Sequence, residues 1–322
     1  MRAARVHTTG GPESIAIEDV PVPQPDRGEL LVRVHACGVN FIDTYKRSGQ
    51  YPVQLPFTLG EEGAGAVVAT GEGVPAAMVD TRVAWAGVAG SYAEFVRIPA
   101  SRAVEVPESV SSEVAAAAML QGMTAHYLAT STYPLSAGDR CLVHAAAGGV
   151  GLLLVQMARM RGATVIGTAG TDHKAELARG AGAHEVIVYT REDFVSETLR
   201  LTNDSGVHVV FDSVGRSTFL KGLDVLAPRG TMVLFGQSSG AVDPFDPQLL
   251  NRKGSLFLTR PSLGYYTATR EELDWRAGEL FSWIGNGKVT VRIGERFALA
   301  DAADAHRALE GRETTGKVLL VP

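Results

Sequence analysis

Apolar positions run along this chain in two rhythms. In the first third they form short segments rich in Val, Ile and Ala: Met1–Thr8, Ser14–Val20, Leu30–Cys37, Gly65–Thr70, Arg82–Ala86 and Tyr92–Ile98. Gly and Pro punctuate them, as in Pro21-Val22-Pro23-Gln24-Pro25 and Gly71-Glu72-Gly73, which predicts strands joined by turns. A helix is predicted over Ser111–Thr130, where Ser111, Ser112 and Glu113 supply capping groups and Ala and Leu fill the body.

From Asp139 strands and helices alternate. The predicted strands are Arg140–Ala145, Thr164–Thr168, Glu185–Tyr189, Val207–Asp212, Thr231–Phe235 and Ser255–Thr259. Between them fall a Gly-rich turn with a helix to Arg161, the helices Asp172–Gly180, Arg191–Thr202 and Ser217–Leu226, and a short helix near Gln248. Such alternation predicts a parallel sheet covered by helices on both faces, and six strands make a full dinucleotide-binding unit. After Pro261 come a helix (Thr269–Asn286), a strand (Val289–Ile293), a helix (Ala302–Glu310) and a strand (Lys317–Val321), expected to return to the first domain. The expected division is 1–123 with 265–322, and 124–264.

Composition narrows the class. The chain has 322 residues, 45 % hydrophobic and 20 % charged, enough for two cores and too apolar for extensive disorder. A net charge of −5 without any basic run argues against nucleic acid as a partner. Two cysteines, Cys37 and Cys141, supply neither a disulfide framework nor a paired zinc motif. No apolar stretch follows Met1–Val6, so no secretory signal is expected. The apolar run Leu142–Ala158 is broken by His144, Gly148-Gly149-Val150-Gly151 and Gln156, which suits a strand, a turn and a buried helix better than a membrane span. The expected compartment is the cytoplasm.

Candidate chemistry begins at Ala146-Ala147-Gly148-Gly149-Val150-Gly151, between a predicted strand and a predicted helix. It matches the dinucleotide fingerprint except that Ala146 replaces the first Gly. Glycines let backbone N–H groups approach a pyrophosphate, and the helix N-terminus favours its charge. The next strand tip separates NAD from NADP. No acid stands there; Gly170 and Thr171 leave room for a phosphate, Lys174 offers it a point charge, and Tyr189 ends the third strand. Asp172 is contrary, but as the helix N-cap its carboxylate would turn to backbone N–H groups. The expected cofactor is NADPH.

Several motifs together resemble the medium-chain dehydrogenase/reductase superfamily, in its quinone oxidoreductase (zeta-crystallin-like) branch. They are Ala36-Cys37-Gly38-Val39-Asn40-Phe41-Ile42-Asp43-Thr44-Tyr45, then Arg47-Ser48-Gly49 and Tyr51-Pro52, Gly60-Glu61-Glu62-Gly63-Ala64-Gly65, Ala145–Gly151, Phe211-Asp212-Ser213-Val214-Gly215 and Thr315-Gly316-Lys317. The resemblance covers essentially the whole chain. It implies a GroES-like β domain and a six-stranded Rossmann parallel sheet. It also implies that Phe41, Ile42 and Thr124 line the cofactor cleft, and that Ser213, Phe235, Gly236, Ser238 and Arg312 belong to the cofactor site.

The departures from the superfamily's zinc alcohol dehydrogenases are informative. In those enzymes a Cys stands where Asn40 stands, Gly-His-Glu stands where Gly60-Glu61-Glu62 stands, and a second Cys falls near Leu120. Their four-Cys lobe should lie between Arg82 and Ser101, a stretch without Cys. Catalytic zinc needs three protein ligands around an open position, so no metal is expected. Cys37, three residues from the ligand position, reads as a small core residue.

Without a metal, the substrate must already accept hydride readily. A quinone does, because aromatisation drives its reduction, and so does an α,β-unsaturated carbonyl; an unactivated ketone would want a Lewis acid. Asn40 is a candidate partner for a substrate oxygen or the nicotinamide. Tyr45 and Tyr51 are candidate donors to a developing oxyanion, although a Tyr in a β-rich domain is commonly a packing residue. The expected protein is a zinc-independent NADPH-dependent quinone reductase working in an interdomain cleft. Its rivals are an NADPH-dependent enoyl reductase acting on unsaturated carbonyls or acyl thioesters, and a non-catalytic NADPH-binding protein. The uncharged strand Ser255–Thr259 predicts a sheet edge that a second copy pairs with, giving a homodimer, unless Pro261–Thr267 folds over it.

Overall fold

The computed structural model describes residues 1–322. The chain divides into two units, Met1–Met123 with Thr267–Pro322, and Thr124–Tyr266.

The first unit is built on one long strand, Glu29–Val39. Its main sheet runs in the order Ile293–Ala298, Lys317–Val321, Glu29–Val39, Glu62–Thr70, Arg82–Ala86, Val104–Glu105, and Phe95–Pro99 also pairs with Glu29–Val39. A three-stranded sheet of Ile15–Asp19, Arg2–Val6 and Phe57–Thr58 accompanies it. Leu30, Val32, Trp85, Ile98, Val318 and Leu320 are buried in its core. The C-terminal strand enters that core by antiparallel pairing, with Val318 opposite Val39 and Leu320 opposite Cys37. That pairing is why residues so distant in sequence share one unit.

One expected strand is displaced. The segment after the helix Arg270–Gly285 forms its strand at Ile293–Ala298, not at Val289–Ile293. Val289 is buried in the turn, where its N–H donates to the Trp283 carbonyl at 3.1 Å, so its apolar side chain closes the helix instead of joining the sheet. The true strand alternates half-buried and exposed positions, and its charged Glu295 and Arg296 disguise it. A helix was also hidden: Phe41–Arg47 has only seven residues, too few for a periodic signal, yet Asp43 caps it by accepting the Asn40 N–H at 2.8 Å.

The second unit is a parallel sheet in the order Glu185–Val188, Thr164–Ala169, Arg140–Val143, Val207–Asp212, Leu226–Leu234, Phe257–Thr259. Taken in chain order this is 3-2-1-4-5-6, the doubly wound arrangement in which ligands bind at the carboxyl ends of the strands. Leu142, Val209, Val210 and Phe211, in the two central strands, have no exposed surface. The last strand is shorter than expected. Leu256 packs into the core, so pairing begins at Phe257, and only Leu226–Leu234 pairs with it. No helix is long and apolar enough to cross a membrane.

Candidate active site

The expected site residues are divided between the two units. In the first unit, Asn40 ends the long strand and opens the short helix. Gly38 lies two residues before it, and a Cβ there would meet Glu62 Oε2 at 2.2 Å and Lys317 Cε at 2.6 Å. Only glycine leaves space for the pair that fills this place. Lys317 Nζ donates to Glu62 Oε2 at 2.5 Å and to Asn40 Oδ1 at 2.7 Å. Neither charged side chain is more than 1 % exposed. Glu62 Oε1 accepts the Leu120 N–H at 2.6 Å, and Glu62 Oε2 also accepts Asn40 Nδ2 at 2.9 Å. Asn40 Nδ2 donates as well to the Gly38 carbonyl at 3.2 Å, and Gln121 Nε2 donates to Asn40 Oδ1 at 3.3 Å. An amide has two donors and two acceptor sites, and all four of Asn40's are engaged.

The neighbouring acid is treated alike. Glu61 forms an ion pair with Lys46, on the short helix. Both carboxylates of Gly60-Glu61-Glu62 therefore face lysine ammonium groups. No cluster of three or more His, Cys, Asp or Glu side chains is placed to hold a metal ion. Cys37 is wholly buried, its thiol donating to the Ser91 carbonyl at 2.5 Å, and burial raises its pKa strongly.

Phe41, Tyr45 and Tyr51 form an aromatic wall beside Asn40. Ring centroids are 6.2 Å apart for Phe41 and Tyr45, and 5.4 Å for Tyr45 and Tyr51. Tyr45 is buried, while Phe41, Ile42 and Tyr51 are half-buried. Behind the wall runs a polar chain. Tyr92 Oη donates to Asp43 Oδ2 at 3.0 Å and lies 3.3 Å from His306 Nε2; His306 Nδ1 is 3.1 Å from an Arg47 guanidinium nitrogen, and Arg47 holds Glu310 with two bonds of 2.7 and 3.1 Å. Burial pushes the Asp43 carboxyl up to about 6, against the pull of the Asn40 N–H and the Tyr92 hydroxyl. Burial, and the Arg47 cation after it, hold His306 down to about 3.

These shifts set opposite pH trends. His306 folds neutral, so its contribution is complete above 6.5 and drains as pH falls towards about 3. Asp43 folds more readily protonated, so its contribution is complete below 3.8 and is lost as pH rises through about 6. His306→Gln is expected to flatten the acid limb of stability, by up to about 1.4 kcal/mol per pH unit. Urea unfolding at stepped pH checks this; an unchanged slope contradicts a neutral buried His306.

In the second unit, the turn after strand Arg140–Val143 is drawn tight. Ala146 N–H donates to the Thr168 carbonyl at 2.9 Å, and Gly148 N–H to the Ala145 carbonyl at 2.9 Å. Gly148 is the N-cap of the helix Gly149–Met160, with extended backbone and no side-chain cap. The helix thus presents Gly149, Val150 and Gly151 in its first turn with no side chain competing for their N–H groups, at its positive end. A Cβ at Gly151 would meet the Ala145 carbonyl oxygen at 2.3 Å. This cradle fits a dinucleotide pyrophosphate.

At the next strand tip the structure corrects one expectation. Thr171, not Asp172, is the N-cap of Asp172–Gly180, its hydroxyl accepting the Lys174 N–H at 3.2 Å. With the cap taken, Asp172 turns outward and binds Arg191 through both oxygens, at 2.6 Å each. Tyr189 packs over Gly170, where a Cβ would meet its hydroxyl at 2.7 Å. Main-chain bonds gather the tips of the fourth and fifth strands: Phe235 N–H donates to the Asp212 carbonyl at 2.8 Å, and Ser238 N–H to the Ser213 carbonyl at 3.2 Å. Gly236 is pressed against Ser213. Thr124 is buried at the start of this unit. Arg312 lies in the first unit, exposed in the turn after Ala302–Glu310.

Sequence reasoning missed three functional candidates. Glu62 and Lys317 were quoted only within motifs; the Gly and Ala around Glu62 were a signal of burial, and Lys317 carried none. Arg191 stood inside an expected helix that begins only at Phe194.

A doubly wound sheet with an uncapped glycine turn, in a chain that also carries a β unit with a polar centre, defines a dinucleotide-dependent oxidoreductase. Family models match accordingly: an alcohol dehydrogenase GroES-like domain over residues 26–108 and a zinc-binding dehydrogenase over 149–277. A quinone oxidoreductase of Pseudomonas aeruginosa is 46 % identical over 97 % of both chains. The solved structure of Escherichia coli quinone oxidoreductase complexed with NADPH superposes with a TM-score of 0.98 at 44 % identity, covering 100 % of both chains. A 2-haloacrylate reductase of a Burkholderia species is 40 % identical over 100 % of this chain and 99 % of its own. The chain belongs to the quinone oxidoreductase family of the medium-chain dehydrogenase/reductase superfamily.

Proposed function

We propose that this protein is an NADPH-dependent quinone reductase that works without zinc. The observation that carries the reading is Lys317, whose buried ammonium is held by Glu62 and Asn40. Asn40 stands where the superfamily's zinc enzymes carry a Cys ligand, and Glu61, next to Glu62, stands where they carry a His. Glu62 spends its oxygens on Lys317, Asn40 and Leu120, and Glu61 spends its charge on Lys46. A divalent cation would have to displace two lysines from a site with no thiolate or imidazole to offer.

NADPH, when bound, supplies the hydride. In this reading Gly148–Gly151 and the helix N-terminus hold its pyrophosphate, and Thr171, Lys174 and Tyr189 surround the 2′-phosphate. Phe41, Ile42, Thr124, Ser213, Phe235, Gly236, Ser238 and Arg312 complete the nicotinamide and ribose contacts. Tyr45 and Tyr51 present hydroxyls to the oxygen that gains charge, and their rings give a flat surface for a quinone. Asn40 serves as a positioning residue, because its amide has no bond left to give.

An activated alkene is the competing substrate class, favoured by the haloacrylate-reducing relative. Comparing kcat/KM for NADPH oxidation across quinones and enones separates them. Quinones should give the higher values; higher values for enones make the protein an enoyl reductase, and tight NADPH binding without turnover makes it a binding protein.

The reading includes a homodimer. Phe257 and Leu258 are 61 % and 36 % exposed on a strand that pairs on one side only, which supports a second copy pairing with its other edge. Light scattering should give twice the 34.0 kDa chain mass, and Leu258→Lys should shift the protein towards monomer. A wild-type mass of one chain contradicts the dimer.

A further inference from the structure

The corner around Gly170 holds a cation that the 2′-phosphate reading does not use. Thr190 Oγ1 donates to the Gly170 carbonyl at 3.1 Å, and Tyr189 N–H donates to the Ala169 carbonyl at 3.1 Å. These bonds lay the segment Tyr189–Arg191 along the tip of strand Thr164–Ala169. Arg191 follows directly, and its guanidinium grips Asp172, the residue next to the cap Thr171. Both side chains are exposed, Arg191 at 58 % and Asp172 at 67 %.

We propose that Arg191 is a second cation for the 2′-phosphate of NADPH, and that Asp172 holds its place until the phosphate displaces it. The proposal rests on NADPH being the cofactor.

Charge and shape both support it. A phosphate monoester carries a charge of about −1.5 to −2 at neutral pH, which Lys174 alone does not balance. Arginine presents two parallel N–H groups that match a carboxylate and a phosphate equally. The fork that closes on Asp172 at 2.6 Å through both oxygens is the geometry a phosphate would take over. Asp172 is the weaker partner, with one charge against nearly two, and an exposed pair of this kind is loosely held. The exchange also discriminates between cofactors. NADH carries a 2′-hydroxyl, which cannot draw the guanidinium from a carboxylate, so Asp172 keeps Arg191 occupied when NADH is offered.

Because both residues are exposed, substitutions should leave the fold intact. Calorimetric titration with 2′,5′-ADP and with 5′-AMP isolates the phosphate from the hydride chemistry. Arg191→Ala should weaken 2′,5′-ADP about tenfold and leave 5′-AMP unmoved. Asp172→Asn should tighten 2′,5′-ADP by about two- to fivefold, since the surface pair no longer has to break. Lys174→Ala serves as the control for the cofactor reading. If Lys174→Ala weakens 2′,5′-ADP while Arg191→Ala does not, the proposal fails and the reading stands. Weaker binding of 2′,5′-ADP to Asp172→Asn also overturns it. A wild-type protein that holds 2′,5′-ADP no better than 5′-AMP overturns the reading and the proposal together.

Discussion

Replacing Lys317 by methionine is expected to destabilise the first unit by about 3–5 kcal/mol, because it leaves Glu62 charged and buried without its cation. Burial pulls the Lys317 ammonium pKa down, and Glu62 raises it again. Asn40 loses its strongest partner in the same step, and kcat should fall with the stability. The companion change decides the cause. Lys317→Met with Glu62→Gln removes both charges, leaves Gln able to accept from Leu120, and should recover most of the lost stability. Denaturant unfolding of the two single variants and the double variant measures the coupling. Additive losses would contradict a buried ion pair as the centre of this unit.

Gly151→Ala should carry the largest effect in the second unit. Its Cβ would stand 2.3 Å from the Ala145 carbonyl oxygen and 2.8 Å from Ala146 backbone atoms, none of which is the end of a flexible side chain. Overpacking of this kind costs about 1–3 kcal/mol, and moving the turn to relieve it spoils the pyrophosphate cradle. NADPH affinity should drop about ten- to a hundredfold, read by fluorescence titration. Gly278→Ala is the matched control, in a helix where nothing lies within 4 Å of the added Cβ. There alanine should be neutral or stabilising by up to about 1 kcal/mol. Equal losses from both would show that the turn has no special demand for glycine.

How much of this was legible depended on the kind of signal. The strands Arg82–Ala86, Val207–Asp212 and Lys317–Val321 and the helices Asp172–Gly180 and Ala302–Glu310 end where hydrophobic rhythm and turn residues say they should. Local pattern decides them. Val289 could not be placed that way, because an apolar residue that plugs a helix end looks like one that joins a strand. The glycine turn was legible because strand, glycines and helix follow in sequence. Tertiary pairs were not. Lys317 and Glu62 are 255 positions apart, and nothing local tells a buried lysine from a solvated one. Asn40 was recognisable as the residue in a ligand position, but the saturation of its amide depends on three distant partners, Glu62, Gln121 and Lys317. Asp172 was misread as a cap because Thr171, one residue earlier, competes for the same N–H group and wins it.

The most direct test of metal-free quinone reduction is turnover after prolonged chelation, with the metal content of the same sample measured alongside. NADPH oxidation by a quinone should continue at the untreated rate in protein carrying no stoichiometric zinc. Loss of activity on chelation, restored by added zinc, would contradict the role given to Lys317, Glu62 and Asn40.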